Sequence, residues 1–227
     1  MKKLSIIIPA YDEAPTIKEL LKQVKNLNLK KIQKEIIIVD DASTDGTKNI
    51  IKAQTGVKTV YLTKNQGKGA AVRAGLIKAT GDYVIIQDAD LEYDPRDILK
   101  LIKPVLNKRA EVVYGSRFLG PHKNMLFWHL MGNKFLSFLC NLLYNTTLSD
   151  MEVCYKLIPT KLARSLNLKQ NRFGFDPEIT VKVLKQGIRI YEVPISYSGR
   201  EFHEGKKITW KDGLIVFFLL IYYRFFD

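Results

Sequence analysis

A chain of 227 residues is long enough to bury one substantial core, and 46% hydrophobic with 26% charged residues excludes a disordered polymer. The 36 Lys and Arg outnumber the 23 Asp and Glu by 13, which points to an anionic partner: nucleic acid, anionic lipid or a phosphorylated substrate. Cys140 and Cys154 lie far from any CxxC spacing and fit a reducing compartment.

Residues 4–8 form a short apolar run that Pro9 stops, read as the first strand. The run is too short for a signal peptide. Pro15 opens a helix that carries Ile17, Leu20, Leu21, Val24 and Leu27 on one face. Residues 35–39 read as a second strand, ending in Asp40-Asp41-Ala42-Ser43-Thr44-Asp45-Gly46. A helix follows, then a third strand over 57–62 and a helix over 67–79. The opening of that helix, Gly67-Lys68-Gly69-Ala70-Ala71-Val72, is no Walker loop, because no Ser or Thr follows Lys68. Nor is it the dinucleotide fingerprint, since Val72 stands where the third Gly belongs. It reads either as a helix start close to a phosphate or as a plain helix start.

The fourth strand, residues 82–87, ends in Asp88 and Asp90, with Glu92 two positions further. Residues two apart in an extended segment share a side. These acids therefore converge at a strand's carboxyl end, where ligands bind in open α/β sheets. A hard divalent cation held with substrate phosphates would relieve their repulsion. The other reading is an acidic loop capping the helix that Asp94 and Pro95 announce. Strands alternating with helices argue for parallel βαβ units.

Residues 110–115 give another strand, leading into Ser116-Arg117. Residues 125–148 are rich in large apolar side chains, but Gly132, Asn133, Lys134, Ser137 and Asn141 interrupt them. No run approaches the ~20 residues of a spanning helix. The stripe over 125–144 reads as an amphipathic helix lying on a membrane, or as a core or interface helix. Ser149-Asp150 precedes a strand over 153–158, and Phe173-Gly174-Phe175-Asp176-Pro177-Glu178 opens a helix to Gln186. Residues 188–197 read as a strand whose Pro194 marks an edge or a bulge. Arg200, His203, Lys206 and Lys207 form a basic loop. Residues 214–223 are apolar and in a helix rise ~15 Å, about half a bilayer core, so this end docks and does not cross. No linker divides the chain, so 1–227 is read as one domain.

Ile6-Ile7-Ile8-Pro9-Ala10-Tyr11-Asp12-Glu13, then Val39-Asp40-Asp41-Ala42-Ser43-Thr44-Asp45-Gly46-Thr47, then Asp88-Ala89-Asp90 resemble the family 2 glycosyltransferases. Gly115-Ser116-Arg117, Ser149-Asp150, the Phe173 to Glu178 motif, Glu192-Val193-Pro194-Ile195 and the Arg200 to Lys207 loop resemble the dolichol-phosphate mannose synthase and polyprenyl-phosphate glycosyltransferase branch. The motifs are individually weak; their order and spacing, over nearly the whole chain, carry the resemblance. It implies an α/β GT-A fold: a Rossmann-like, mixed but mostly parallel sheet flanked by helices. Residues 1–118 would form the nucleotide-sugar half, and 119–227 the acceptor half with amphipathic helices.

The resemblance also implies inverting transfer of one sugar from a GDP-mannose or UDP-glucose type of donor to polyprenyl or dolichyl phosphate, with Mg²⁺ or Mn²⁺. Pro9, Tyr11, Glu13, Val39, Asp41 and Ala89 would hold the nucleotide sugar. Asp88 and Asp90 would carry the metal and diphosphate, and Glu92, where these synthases usually have Gln, is a third candidate ligand. Arg117 and Arg200 would meet phosphate oxygens, with Lys206 or Lys207 assisting. Asp88, Asp90, Arg117 and Arg200 are thus the catalytic set. Asp150 and Glu178, on the acceptor side, are base candidates for a hydroxyl acceptor, and helix or turn caps otherwise. The expected location is cytoplasmic, peripheral on the inner face of a membrane. A glycan or other hydroxyl acceptor is the second reading. A nucleic-acid-binding module rests on charge alone, and the acidic sheet edge argues against it.

Overall fold

The computed structural model describes residues 1–200 and 210–226. Its centre is a seven-stranded sheet built from β1 (Lys3–Ala10), β2 (Gln33–Asp40), β3 (Lys58–Tyr61), β4 (Tyr83–Ile86), β5 (Val112–Ser116), β7 (Lys156–Pro159) and β8 (Ile190–Pro194). The spatial order is β3-β2-β1-β4-β7-β5-β8. β1, β2, β3 and β4 pair in parallel, as do β5 and β8. β7 runs antiparallel to both of its neighbours, β4 and β5. Two short strands, β6 (His122–Lys123) and β9 (Tyr197–Ser198), form a separate parallel pair.

Parallel strands covered on both faces need continuous apolar sequence. Leu4, Ile6, Ile7 and Ile8 of β1 and Ile36 to Val39 of β2 meet that need and are buried. Helix α1 (Ile17–Asn26) turns Ile17, Leu20, Leu21 and Val24 onto the sheet. After α2 (Thr47–Lys52), helix α3 (Lys68–Lys78) uses small residues instead. A Cβ on Gly75 would stand 2.5 Å from Ile7 Cγ2, so only glycine lets α3 lie this close to β1. A 3₁₀ turn, Pro95–Asp97, is capped by the Asp94 carboxylate, which accepts from Arg96 N at 2.9 Å, and leads into α4 (Ile98–Leu106).

The second half departs more from its sequence pattern. The strand expected over 188–197 divides at Pro194, which has no N–H to continue the ladder. β8 ends there as an edge strand, and β9 pairs with β6 instead. The strand expected over 153–158 begins only at Lys156. Helices α5 (Phe127–Tyr144), α6 (Thr160–Ser165), α7 (Phe175–Lys185) and α8 (Trp210–Phe225) complete the chain. α5, α7 and α8 share a second, smaller core of Leu136, Cys140, Met151, Val181, Val216, Leu220 and Tyr223. Each of the two apolar stripes is therefore partly core, and each keeps an outer face in solvent.

At the amino-terminal end of the sheet, Glu35 ties three segments together. Its carboxylate accepts from Ser5 Oγ at 2.6 Å, from Thr80 N and Oγ1 at 2.8 Å each, and from Lys58 Nζ at 2.6 Å. Burial opposes its ionisation, but the Lys58, Ser5 and Thr80 donors outweigh burial and hold the carboxyl well below the usual carboxylate range. A lowered carboxyl contributes its full stability above the unfolded value near 4.5 and loses it as pH falls further. Replacement of Glu35 by Ala leaves the Ser5 hydroxyl and Thr80 N–H without an acceptor and is expected to cost about 2–3 kcal/mol. Urea unfolding at pH 7 should show this as a lower midpoint with an unchanged slope.

Candidate active site

Three strands end at one edge, and each is followed by a non-glycine residue in the left-handed region. Asp12 (φ 50°) follows β1, Ala42 (φ 60°) follows β2 and Leu91 (φ 63°) follows β4. These turns set Tyr11 and Glu13, Asp41, and Asp88 and Asp90 along the edge. They also fix the neighbouring loops. Asp41 Oδ1 and Oδ2 accept from the N–H groups of Gln66 (2.8 Å) and Gly67 (2.7 Å), so the end of β2 holds the start of α3. Gly67 (φ 97°) and Gly69 allow residues 170–171 to pass directly against that helix, where any Cβ would strike the Asn171 or Gln170 carbonyl oxygen. The glycines thus serve close passage, while Lys68 between them reaches the acidic edge.

The edge is neutralised by cations from elsewhere in the chain. Lys68 Nζ lies 2.9 Å from Asp88 and 3.5 Å from Asp176, and Asp176 meets the fully buried Lys156 at 2.8 Å. Arg200 reaches Glu13 at 3.2 Å and Asp90 at 3.3 Å, and its backbone N–H donates to Glu92 at 3.0 Å. The second Glu92 oxygen takes the Tyr197 hydroxyl at 2.9 Å. Arg117 is held in a two-point pair with Asp150, Nε and Nη2 each at 2.7 Å, and its guanidinium lies over the Tyr197 ring at 5.4 Å. Glu192 in turn braces this pair by accepting from the N–H groups of Ser149 and Asp150. Burial first, then the charges of Asp88 and Glu92, push the Asp90 carboxyl up to about 8, against the pull of Arg200.

A cavity of about 650 Å³ opens over this edge. Pro9, Tyr11, Glu13 and Asp41 line it from the β1 and β2 loops, and Asp88, Ala89, Asp90 and Glu92 from the end of β4. Arg117, directly after β5, and Arg200, after β9, close on it from other parts of the chain. Leu126, Trp128 and Leu136 of α5 and its approach, with Val216 of α8, supply an apolar wall. Three residues singled out from the sequence stand elsewhere. Val39 is fully buried in β2, inside the core. Asp150 lies behind Arg117 and orients it. Glu178 is fully buried and accepts from the N–H groups of Lys169 and Gln170, from Lys182 and from the Tyr223 hydroxyl, so it joins α7 to α8 and the loop before α7. Lys206 and Lys207 fall outside the described residues.

Lys68 and Asp176 complete the charge chain; both stand in motifs noted from the sequence, but their pairing is not legible there, because their partners lie far away along it. Among the described residues no three His, Cys, Asp or Glu side chains are grouped so as to hold a metal by themselves. Asp88 and Asp90 are the hard oxygen donors available to one, and such a pair suits an ion that takes its other ligands from phosphates and water. Glu92 is engaged by Tyr197 and Arg200.

Glucosyl-3-phosphoglycerate synthase from Mycobacterium tuberculosis, solved with UDP, matches at a TM-score of 0.76 and 18% identity over 98% of this chain and 80% of that one. The same enzyme with Mn²⁺, UDP-glucose and glycerol 3-phosphate gives 0.74. The fold is that of the GT-A glycosyltransferases. Residues 5–166 match the model of glycosyl transferase family 2, and the chain belongs to that family. A UDP-N-acetylglucosamine–dolichyl-phosphate N-acetylglucosaminyltransferase of Methanococcus voltae is 30% identical over 97% of this chain and 95% of its own length. A dolichol-phosphate mannosyltransferase of Pyrococcus furiosus is 34% identical over 58% of this chain and 38% of its own. An uncharacterised protein of Methanocaldococcus jannaschii is 30% identical over 99% and 93%. The protein is a glycosyltransferase, and relatives named for dolichyl phosphate support the polyprenyl-phosphate branch.

Asp90→Ala removes a carboxylate that the fold holds under repulsion. A carboxyl raised in the folded state makes stability decline as pH climbs from the usual carboxylate range towards 8. The variant is therefore expected to stay folded and to show a flatter decline over that range in thermal melts. If Asp90 helps to hold a cation together with a nucleoside diphosphate, titration calorimetry with Mn²⁺ and UDP or GDP should show the variant binding on the order of a hundredfold more weakly than wild type.

Proposed function

We propose that the protein moves one sugar, with inversion, from a GDP- or UDP-sugar to a polyprenyl or dolichyl phosphate at the cytoplasmic face of a membrane. One observation carries this reading: a single cavity joins the acidic edge at Asp88 and Asp90 to the apolar wall of Leu126, Trp128, Leu136 and Val216. A nucleotide diphosphate suits the first and a lipid tail the second. The names of the relatives from Methanococcus voltae and Pyrococcus furiosus support the same acceptor class.

Asp88 and Asp90 would hold Mg²⁺ or Mn²⁺ together with the donor diphosphate, and that ion would supply positive charge to the leaving group. Arg200, spread over Glu13, Asp90 and Glu92, is poised to exchange part of that pairing for phosphate oxygens. Arg117 is aimed by Asp150 and Tyr197 and meets phosphate from the acceptor side. The acceptor oxygen forms its bond to the anomeric carbon as the bond to the diphosphate breaks on the opposite face. A lipid phosphate is already anionic at neutral pH and needs no base, in keeping with the full engagement of Asp150 and Glu178 by protein donors.

The outer faces of α5 and α8 carry Phe127, Trp128, Phe135, Phe138 and Leu142, and Leu214, Ile215, Phe218 and Phe225, all exposed. The rings of Phe135 and Phe217 stack across the two helices at 6.3 Å. Among the described residues no helix is long and apolar enough to cross a membrane. The two faces suit shallow insertion beneath the headgroups.

Purified protein with Mn²⁺, a panel of nucleotide sugars and a short polyprenyl phosphate is expected to yield a lipid monophosphate sugar by mass spectrometry, and chelation should abolish it. Sugar transfer only to soluble hydroxyl acceptors would overturn the lipid-phosphate reading. Flotation with anionic liposomes tests the membrane face. Wild-type protein should rise at low salt and less so at high salt. Replacing both Phe127 and Trp128 by Ser should reduce flotation without lowering the melting temperature, because these rings are 61% and 80% exposed.

A further inference from the structure

The cavity contains one acidic side chain that the charge network leaves unexplained. Glu152 lies in the stretch leading into β7 and lines the cavity beside Cys154 and Asp176. Its Oε1 is buried and has no hydrogen-bond partner among the described residues. The neighbouring acids differ. Asp41 is met by two backbone N–H groups, Asp88 by Lys68, Asp176 by Lys156 and Lys68, and Asp90 by Arg200 and the Glu92 N–H. Buried oxygens without a donor are rare in folded proteins, and one on a side chain that lines a cavity points to a ligand that brings the donor. Burial, with the charge of Asp176 next, pushes the Glu152 carboxyl up to about 8, while Lys156 and Arg117 oppose.

The place of this oxygen narrows the donor group. With the diphosphate at Asp88 and Asp90 and the acceptor arriving past α5 and α8, the cavity between them is left to the transferred sugar. A pyranose presents several hydroxyls, each able to donate. We propose that Glu152 accepts a hydrogen bond from one hydroxyl of the transferred sugar and so sets which nucleotide sugar the enzyme selects. The inference rests on the donor-site reading above. Sites that hydrogen-bond a substrate hydroxyl discriminate strongly against analogues that lack it, because the buried partner is then left unpaired.

Calorimetry with Mn²⁺ separates the two parts of the donor. Glu152→Leu is expected to bind UDP or GDP as wild type does, but to bind the matching nucleotide sugar on the order of tenfold more weakly. Glu152→Gln keeps an oxygen at the Oε1 position and should stay within about threefold of wild type. A series of nucleotide sugars deoxygenated at single ring positions should show one position whose loss weakens wild type, with no further loss at that position in Glu152→Leu. A Leu variant that binds nucleotide sugar normally, or loses nucleoside diphosphate in step with it, would overturn the assignment. Should Glu152→Leu fail to fold, the deoxy series on wild type decides: no position-specific loss overturns the proposal. Transfer to polyprenyl phosphate is scored on the same preparations. Donor discrimination through Glu152 without any lipid product overturns the acceptor reading and still supports the role of Glu152.

Discussion

Carboxylates gathered at the ends of β1, β2 and β4 repel one another, and the fold answers with cations from distant positions. Arg200 and Glu13 meet although 187 residues separate them. Arg200 and Asp90 are 110 residues apart. Lys68, Asp176 and Lys156 form an alternating chain that ends in the core. The same ion pairs that make the edge tolerable also fasten the second half of the chain onto the first. On the reading proposed above, a donor diphosphate with its cation would enter an arrangement already partly neutralised, and would bind by exchanging partners. Such exchange costs less than ionising a bare acidic cluster would.

Much of the first half was legible because its strands are buried on both faces. The runs over 4–8, 35–39 and 82–87 are mostly apolar, bounded by Pro or acidic turns, and they become β1, β2 and β4. Asp88 and Asp90 could be read from position alone, since they follow such a run. Arg200 showed only as part of a basic loop after Pro194, and the phosphate roles of Arg117 and Arg200 entered through the resemblance to a family. The second half was harder. Pro194 announced an edge, but not that the chain would leave one sheet and pair in another.

Glu152 shows why the rule of looking after strands is incomplete. β7 is antiparallel, so the residues that precede it, and not those that follow, arrive at the ligand edge. The Tyr83 to Pro159 and Val84 to Ile158 register brings residues 152–154 beside the end of β4. No periodicity within the segment reveals strand direction. Glu178 illustrates the opposite case: an acid in a suggestive motif whose oxygens are consumed by backbone N–H groups, Lys182 and Tyr223.

The left-handed turn at Leu91 has a bearing on how firmly this edge is held. A branched aliphatic residue in that region carries roughly 1 kcal/mol of strain, or somewhat more. Glycine there would relieve the strain, but it would also widen the unfolded ensemble by a comparable amount. The two effects nearly cancel, so a melting curve would scarcely distinguish the two residues. What differs is stiffness: leucine confines the peptide between Asp90 and Glu92 to one narrow well, while glycine opens several. The acidic edge is thus set before any ligand arrives, and the ordering that binding would otherwise require has been met during folding.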